Sequence, residues 1–108
     1  MNAVVVDVPR ILVCEIINVN NAALDKGCGG EYIRTDDLCN GLYTFAKSDN
    51  SRRLKMLNGR WYCGGGAPCG YGYYLSGFYA VGEAAEYPIG LWTDSRNVMA
   101  VSTCTLWV

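Results

Sequence analysis

The sequence predicts a small all-β fold, an antiparallel sandwich or barrel with long N- and C-terminal strands that disulfides stabilise. Short extended runs recur roughly every 8 to 12 residues between glycine and asparagine turns, a spacing typical of sandwiches and barrels. Residues 1–19 are rich in Val and Ile, which favour strands over helices. Six cysteines stand in 108 residues, a length that fits a single domain, 1–108, with a modest core. Crosslinks are therefore expected to carry part of the stability.

The N-terminal segment predicts two strands, 3–8 and 11–19, or one strand bent at Pro9, because proline cannot donate to a ladder. Its second part is apolar on both faces. One face holds Ile11, Val13, Ile17 and Val19, and the other holds Leu12, Cys14 and Ile16. A strand of this kind has to be covered on both faces, which a thin β domain rarely provides for an end strand. A partner chain is therefore one explanation for the pattern.

The middle of the chain predicts short strands separated by turns. Turn residues fill 18–30, and strands are expected at 31–35 and 42–47 with the Asn40-Gly41 turn between them. Asn58-Gly59 then predicts a type I′ hairpin between 54–57 and 60–63, because both residues accept a positive φ. Alternation places Leu54 and Met56 with Trp61 and Cys63 on an apolar face, and Arg53, Lys55, Arg60 and Tyr62 on a solvated face.

The C-terminal part predicts three short strands and one long strand. A glycine loop, 64–68, leads into strands at 71–75 and 78–81, and a short strand follows at 91–92. Residues 97–108 alternate cleanly and form the second long strand. The two terminal segments are natural partners.

The cysteines predict three disulfides rather than a metal site, because the chain has no histidine and no Cys-x2-Cys pair. Six cysteines allow several connectivities, and we predict the simplest set: Cys14–Cys104, Cys28–Cys39 and Cys63–Cys69. Such a pattern favours an oxidising, extracellular or cell-surface location. Asp7, Pro9 and Arg10 interrupt the first apolar run, so it does not form a signal peptide, and we expect a mature chain.

Composition excludes several classes of function. A net charge of −1 argues against nucleic-acid binding, and no apolar run is long enough to span a membrane. Without histidine the usual base for a nucleophile is missing, and the carboxyl pairs Asp36-Asp37 and Glu83/Glu86 read as solvent-exposed ends of turns. The glycines of 64–66 lack the lysine of a phosphate loop. We therefore expect no enzyme, no cofactor and no metal.

The order of short motifs over residues 28–92 resembles a small extracellular module. The motifs are Gly30-Glu31-Tyr32, Asn40-Gly41-Leu42-Tyr43, Leu54 with Trp61, Tyr73-Tyr74, and Pro88 with Trp92. Modules of this kind recur in surface proteins of protists, algae and marine invertebrates. The resemblance implies a compact β fold and a surface location, and it brings no established chemistry.

The function that these features favour is self-assembly of an extracellular structural subunit into a filament, coat or adhesive layer. Residues 1–19 would act as an arm that adds a strand to another copy, through Val4, Val6, Val8, Ile11 and Val13. The alternative for the arm is pairing with 97–108 of its own chain.

A carbohydrate-binding module is the competing function. The chain has eight Tyr and three Trp, and rings beside glycines are candidates for stacking on a sugar. These candidates are Tyr71, Tyr73, Tyr79 and Trp92, and the alternative is that Trp61, Trp92 and Tyr43 fill the core. The expected partners are therefore further copies of the chain or glycans.

Overall fold

The computed structural model describes residues 12–20, 27–70, 77–79, 86–93 and 98–108. Within these ranges eight antiparallel strands follow one another around a curled sheet, and the last strand pairs with the first to close a barrel. The strands are β1 Cys14–Asn20, β2 Gly30–Cys39, β3 Leu42–Ala46, β4 Arg53–Leu57, β5 Arg60–Gly64, β6 Gly77–Tyr79, β7 Gly90–Thr93 and β8 Val98–Trp107. The predicted all-β fold is confirmed.

Two Asn-Gly turns set the hairpins of the sheet. Asn58 and Gly59 have φ values of 50° and 76°, and Asn40 and Gly41 have 52° and 84°, as type I′ turns require. The β4–β5 register pairs Leu54 with Cys63 and Met56 with Trp61. The predicted hairpin and its apolar face are therefore confirmed.

The barrel interior is filled mainly by large rings and aliphatic side chains. Trp61, Trp92, Phe45 and Tyr32 are buried there, and the ring of Phe45 meets Trp61 edge-on at 6.4 Å. Rings bury large areas per residue, so they allow a short chain to build a sufficient core.

The predicted solvated face of the hairpin is wrong for two of its residues. Arg53 is 5% exposed and Lys55 is 0% exposed. The loop after β5 folds back over Lys55, whose Nζ donates to the carbonyl oxygen of Ala67. The Nη1 of Arg53 donates to Asp37 Oδ2 at 2.9 Å and to Thr44 Oγ1 at 2.9 Å. The alternation of side chains predicted which residues share a face of the hairpin. It could not predict that a loop distant in sequence covers part of that face.

One predicted disulfide is confirmed and two are corrected. Cys14 is bonded to Cys104 and joins β1 to β8, whereas the other pairs are Cys28–Cys63 and Cys39–Cys69. Cys63 lies in the core, where its sulfur is 3.6 Å from the Tyr32 hydroxyl. The glycine loop carries Cys69 away from this position to the end of β2, so the two cysteines closest in sequence do not meet.

The terminal strands pair as expected, with changed bounds. β1 begins at Cys14 rather than at residue 11, and β8 covers most of 97–108. Two main-chain hydrogen bonds between Val13 and Val108 extend their ladder by one pair. The strands predicted at 3–8 and 71–75 lie outside the described residues.

Candidate functional site: the barrel mouth and the flank of β1

The first residues of β1 separate from β2. The β1–β2 register runs only from Ile16 to Val19, and β2 continues from Arg34 with β3 as its neighbour. Val13 exchanges both main-chain bonds with Val108, so the N–H and C=O of Cys14 point to the opposite side, toward β2. Cys14 itself is 0% exposed and lies in the core, so this end of β1 is covered.

A cavity of about 210 Å³ opens at the same end of the barrel. We call it the mouth pocket, and its lining is Val13, Arg34, Gly41, Leu42, Tyr43, Glu86 and Tyr87. Leu42 and Tyr87 also pack against the core. The pocket is therefore an apolar depression with one cation and one carboxylate at its wall.

Arg34 is held against the pocket wall by two contacts. Its guanidinium lies 4.0 Å from the centre of the Tyr43 ring, and its Nη1 is 3.8 Å from Glu15 Oε1. An ion pair this long at a half-buried site contributes little to stability, so stacking on the ring is the contact that positions the guanidinium. The charge remains available for an anionic group that approaches the mouth.

Aromatic rings connect the pocket to the core and to the surface. The Tyr87 ring meets Phe45 edge-on at 6.3 Å and Trp107 at 5.4 Å. Trp107 is 43% exposed and Tyr43 is 41% exposed. The sequence did not predict a site at Arg34, Tyr87 and Trp107, because residues so far apart carry no local signal that they share one end of a barrel.

An apolar row crosses the outer face of β2, β1 and β8. Ile16 pairs with Ile33 on one side and with Leu106 on the other. Ile33 and Leu106 are exposed, whereas Ile17 and Val19 fill the interior. The two-sided apolar character predicted for the first strand is therefore present, and its outer side is uncovered within the described residues.

The predicted arm is only partly within the described residues. Val4, Val6, Val8 and Ile11 lie outside them. Val13 is half-buried at the mouth pocket and pairs with Val108 of its own chain, so its prediction as a residue that pairs with another copy is not confirmed.

The predicted stacking residues do not form a described site. Tyr71, Tyr73 and the Tyr79 side chain are outside the described part. Trp92 is 1% exposed and belongs to the core, so its prediction as a stacking surface is wrong. The reason is its position on β7 opposite Ala100, with its ring inside the barrel.

In the part of the chain that the structure describes, no three acidic, histidine or cysteine side chains are placed to hold a metal ion. All six cysteines are in disulfides. The same residues include no helix long and apolar enough to cross a membrane.

A comparison with protein-family models, curated proteins and solved structures finds no match. The similarity of residues 28–92 to extracellular modules stays a resemblance, and no residue role is transferred from it.

Proposed function

We propose that this chain is a non-enzymatic extracellular structural subunit that assembles with copies of itself into a filament, coat or adhesive layer. The N-terminal arm of one copy adds as a strand to the next barrel. The observation that carries the proposal is the apolar row on the outer face of the barrel, where the exposed Ile33 and Leu106 flank Ile16.

Strand addition uses two features of an acceptor. Unpaired main-chain groups bind the backbone of the incoming strand, and pockets receive its alternate side chains. The described ladders occupy both flanks of β1 from Ile16 to Val19, so this part offers no acceptor. The mouth pocket, a cavity of about 210 Å³ lined by Val13, supports the proposal as a place for a side chain of the incoming arm.

The alternative, in which the arm pairs with residues 97–108 of its own chain, holds for the described part of the arm. Residues 101–107 of β8 pair with β1, and Val13 pairs with Val108. The assembly contact that we propose is therefore made by the part of the arm that precedes Leu12.

The architecture of the contact decides the form of the assembly. An arm that docks head to tail makes a heterologous contact, and such contacts build fibres when their rotation does not close. The uncovered row of Ile16, Ile33 and Leu106 supplies a second apolar surface for lateral packing into a layer.

The disulfides support an extracellular setting for this assembly. Three bridges in a domain of this size are typical of oxidising compartments.

Deletion of residues 1–9 tests the proposal. The full-length chain is expected to elute as oligomers in size-exclusion chromatography and to form particles or fibres in negative-stain microscopy. The deletion variant is expected to elute as a monomer with the same circular dichroism spectrum. A full-length chain that stays monomeric at high concentration, with a deletion that is merely less stable, contradicts assembly.

Carbohydrate binding remains the second function. The buried ring of Trp92 gives carbohydrate binding no support. In the described part, the exposed rings at the barrel mouth are Tyr43 and Trp107. Both proposed functions therefore use the barrel mouth.

A further inference from the structure

The polar side chains around the mouth pocket keep their hydrogen-bonding groups unused. Arg34, Tyr43 and Glu86 all line the pocket, and in the part of the chain that the structure describes none of their side chains makes a hydrogen bond. The carboxylate of Glu15 is 3.8 Å from Arg34 Nη1, which is beyond hydrogen-bond distance. The pocket therefore presents donors and acceptors of its own to a ligand.

These groups, together with the apolar part of the lining, define a class of ligand. We propose that the mouth pocket binds one acidic sugar residue, a hexuronic acid, whose carboxylate contacts Arg34 and whose hydroxyl groups contact Glu86. This inference rests on carbohydrate binding, the second of the two functions proposed above. Because the pocket holds one occupant at a time, the sugar competes there with the arm of another copy.

The guanidinium of Arg34 is placed to receive a carboxylate. It lies over the Tyr43 ring, 4.0 Å from the ring centre, and this contact holds it in place without a hydrogen bond. Arginine binds carboxylates through parallel N–H···O bonds, which are stronger than bonds between neutral groups. The Arg34 side chain is 24% exposed, so solvent screens such a contact less than it would at a fully exposed site.

The second charge of the pocket favours a ligand that also carries hydroxyl groups. Glu86 brings a carboxylate to the same lining as Arg34. A carboxylate only accepts hydrogen bonds, so a hydroxyl group satisfies it, whereas an anion without a donor is repelled. A hexuronic acid has its carboxylate at one end of the ring and hydroxyl groups at the other end. A neutral sugar leaves Arg34 without an anion, and a simple carboxylic acid leaves Glu86 without a donor.

The size of the pocket and its apolar surface match one sugar ring. Pockets for drug-sized ligands measure about 300 to 1,000 Å³, and a dry cavity of about 150 Å³ holds one benzene ring. The mouth pocket lies between these sizes at about 210 Å³, as a single sugar residue does among ligands. Leu42 and Tyr87 pack against the core, so they form a fixed apolar surface for the C–H groups of the ring.

Three matched ligands test the proposal on the isotope-labelled full-length chain. Glucuronate carries the carboxylate and the hydroxyl groups, glucose carries only the hydroxyl groups, and cyclohexanecarboxylate carries only the carboxylate. Each is titrated while NMR follows the amide resonances of Gly41 and Leu42, which line the pocket. Glucuronate is expected to bind about tenfold more tightly than either of the other two, because only glucuronate satisfies both charged side chains.

Substitutions at Arg34 identify the group that reads the carboxylate. Arg34→Gln is expected to lower the affinity for glucuronate to about that for glucose. Arg34→Lys keeps the charge and is expected to retain a preference for glucuronate over glucose of about threefold. Arg60→Gln makes the same change at an exposed position on β5 and is expected to leave the affinity unchanged. The comparison of the three ligands on the unmodified chain decides the proposal even where a variant does not fold.

Each outcome decides the proposal. Equal affinities for glucuronate and either of the other ligands overturn the acidic sugar as the occupant. Binding that shifts neither Gly41 nor Leu42 overturns the mouth pocket as its place, and an Arg34→Gln variant with unchanged preference overturns the role of the guanidinium. Absence of binding by all three ligands overturns the inference, and carbohydrate binding then stands only if a glycan array shows saturable binding of a neutral glycan.

Discussion

The ammonium of Lys55 donates a hydrogen bond of 2.9 Å to the carbonyl oxygen of Ala67, under a loop that hides the side chain from solvent. A second, longer bond of 3.4 Å reaches the carbonyl oxygen of Gly65. The pKa of Lys55 is lowered by burial and, to a smaller extent, by the charge of Arg53. A buried ammonium thus binds the main chain of the glycine loop, and the Cys39–Cys69 bond fixes the end of that loop.

We predict that Lys55→Met lowers the free energy of unfolding by about 1 to 3 kcal/mol, because the two hydrogen bonds from the ammonium to main-chain carbonyl groups of the loop are lost. Urea denaturation followed by tryptophan fluorescence measures the change. Arg60→Met on the exposed side of β5 serves as the control and is expected to stay within about 0.5 kcal/mol of the unmodified chain. Equal effects of the two substitutions would show that the loop does not depend on Lys55.

The two glycines at the start of that loop differ in their surroundings. A Cβ on Gly66 would overlap the carbonyl oxygen of Asn50, whereas a Cβ on Gly65 meets nothing within 4 Å. We predict that Gly66→Ala costs about 1 to 3 kcal/mol through overpacking, while Gly65→Ala changes stability by less than about 0.5 kcal/mol. Thermal unfolding of the pair measures the difference. A Gly65→Ala variant as unstable as Gly66→Ala would contradict this close approach.

Peptide mapping without reduction tests the disulfide pairing. Trypsin separates Cys28 in 27–34 from Cys39 in 35–47, and leaves Cys63 and Cys69 together in 61–96. The pairs Cys28–Cys63 and Cys39–Cys69 predict one cluster of all three peptides. A linked pair of 27–34 with 35–47, separate from 61–96, would instead support the two local loops.

We predict that Tyr32 makes the folded chain less stable at alkaline pH. Burial raises the pKa of its hydroxyl well above the ordinary value, against a smaller opposing effect of Arg52. The folded state therefore favours the protonated hydroxyl. The resulting contribution to the free energy of unfolding is fully present below the unfolded pKa of about 10, and it is lost as the pH rises above that value. We expect the free energy of unfolding to fall between pH 9.5 and about 11, and to fall less steeply in Tyr32→Phe. Parallel slopes in the two proteins would exclude Tyr32 as the cause.

The parts of the fold that could be predicted are those that depend on residues close together in the sequence. Asn58 and Gly59 carry their own turn geometry, so the hairpin and its register followed from the sequence alone. The Cys28–Cys63 bond depends on how β2 and β5 curl into one interior, which no local pattern encodes. The burial of Lys55 likewise depends on a loop that begins at Gly65, after the next strand. For the candidate site, Val13 was identified from its apolar strand, whereas Tyr87 and Trp107 meet only because the barrel closes.

The central claim is that the chain assembles through its arm, and sedimentation velocity of the full-length protein at rising concentration tests it most directly. The account predicts species heavier than the 11.8 kDa monomer whose share grows with concentration, and their loss in Val8→Asp but not in Val8→Ile. A single 11.8 kDa species at every concentration, unchanged by either substitution, would contradict it.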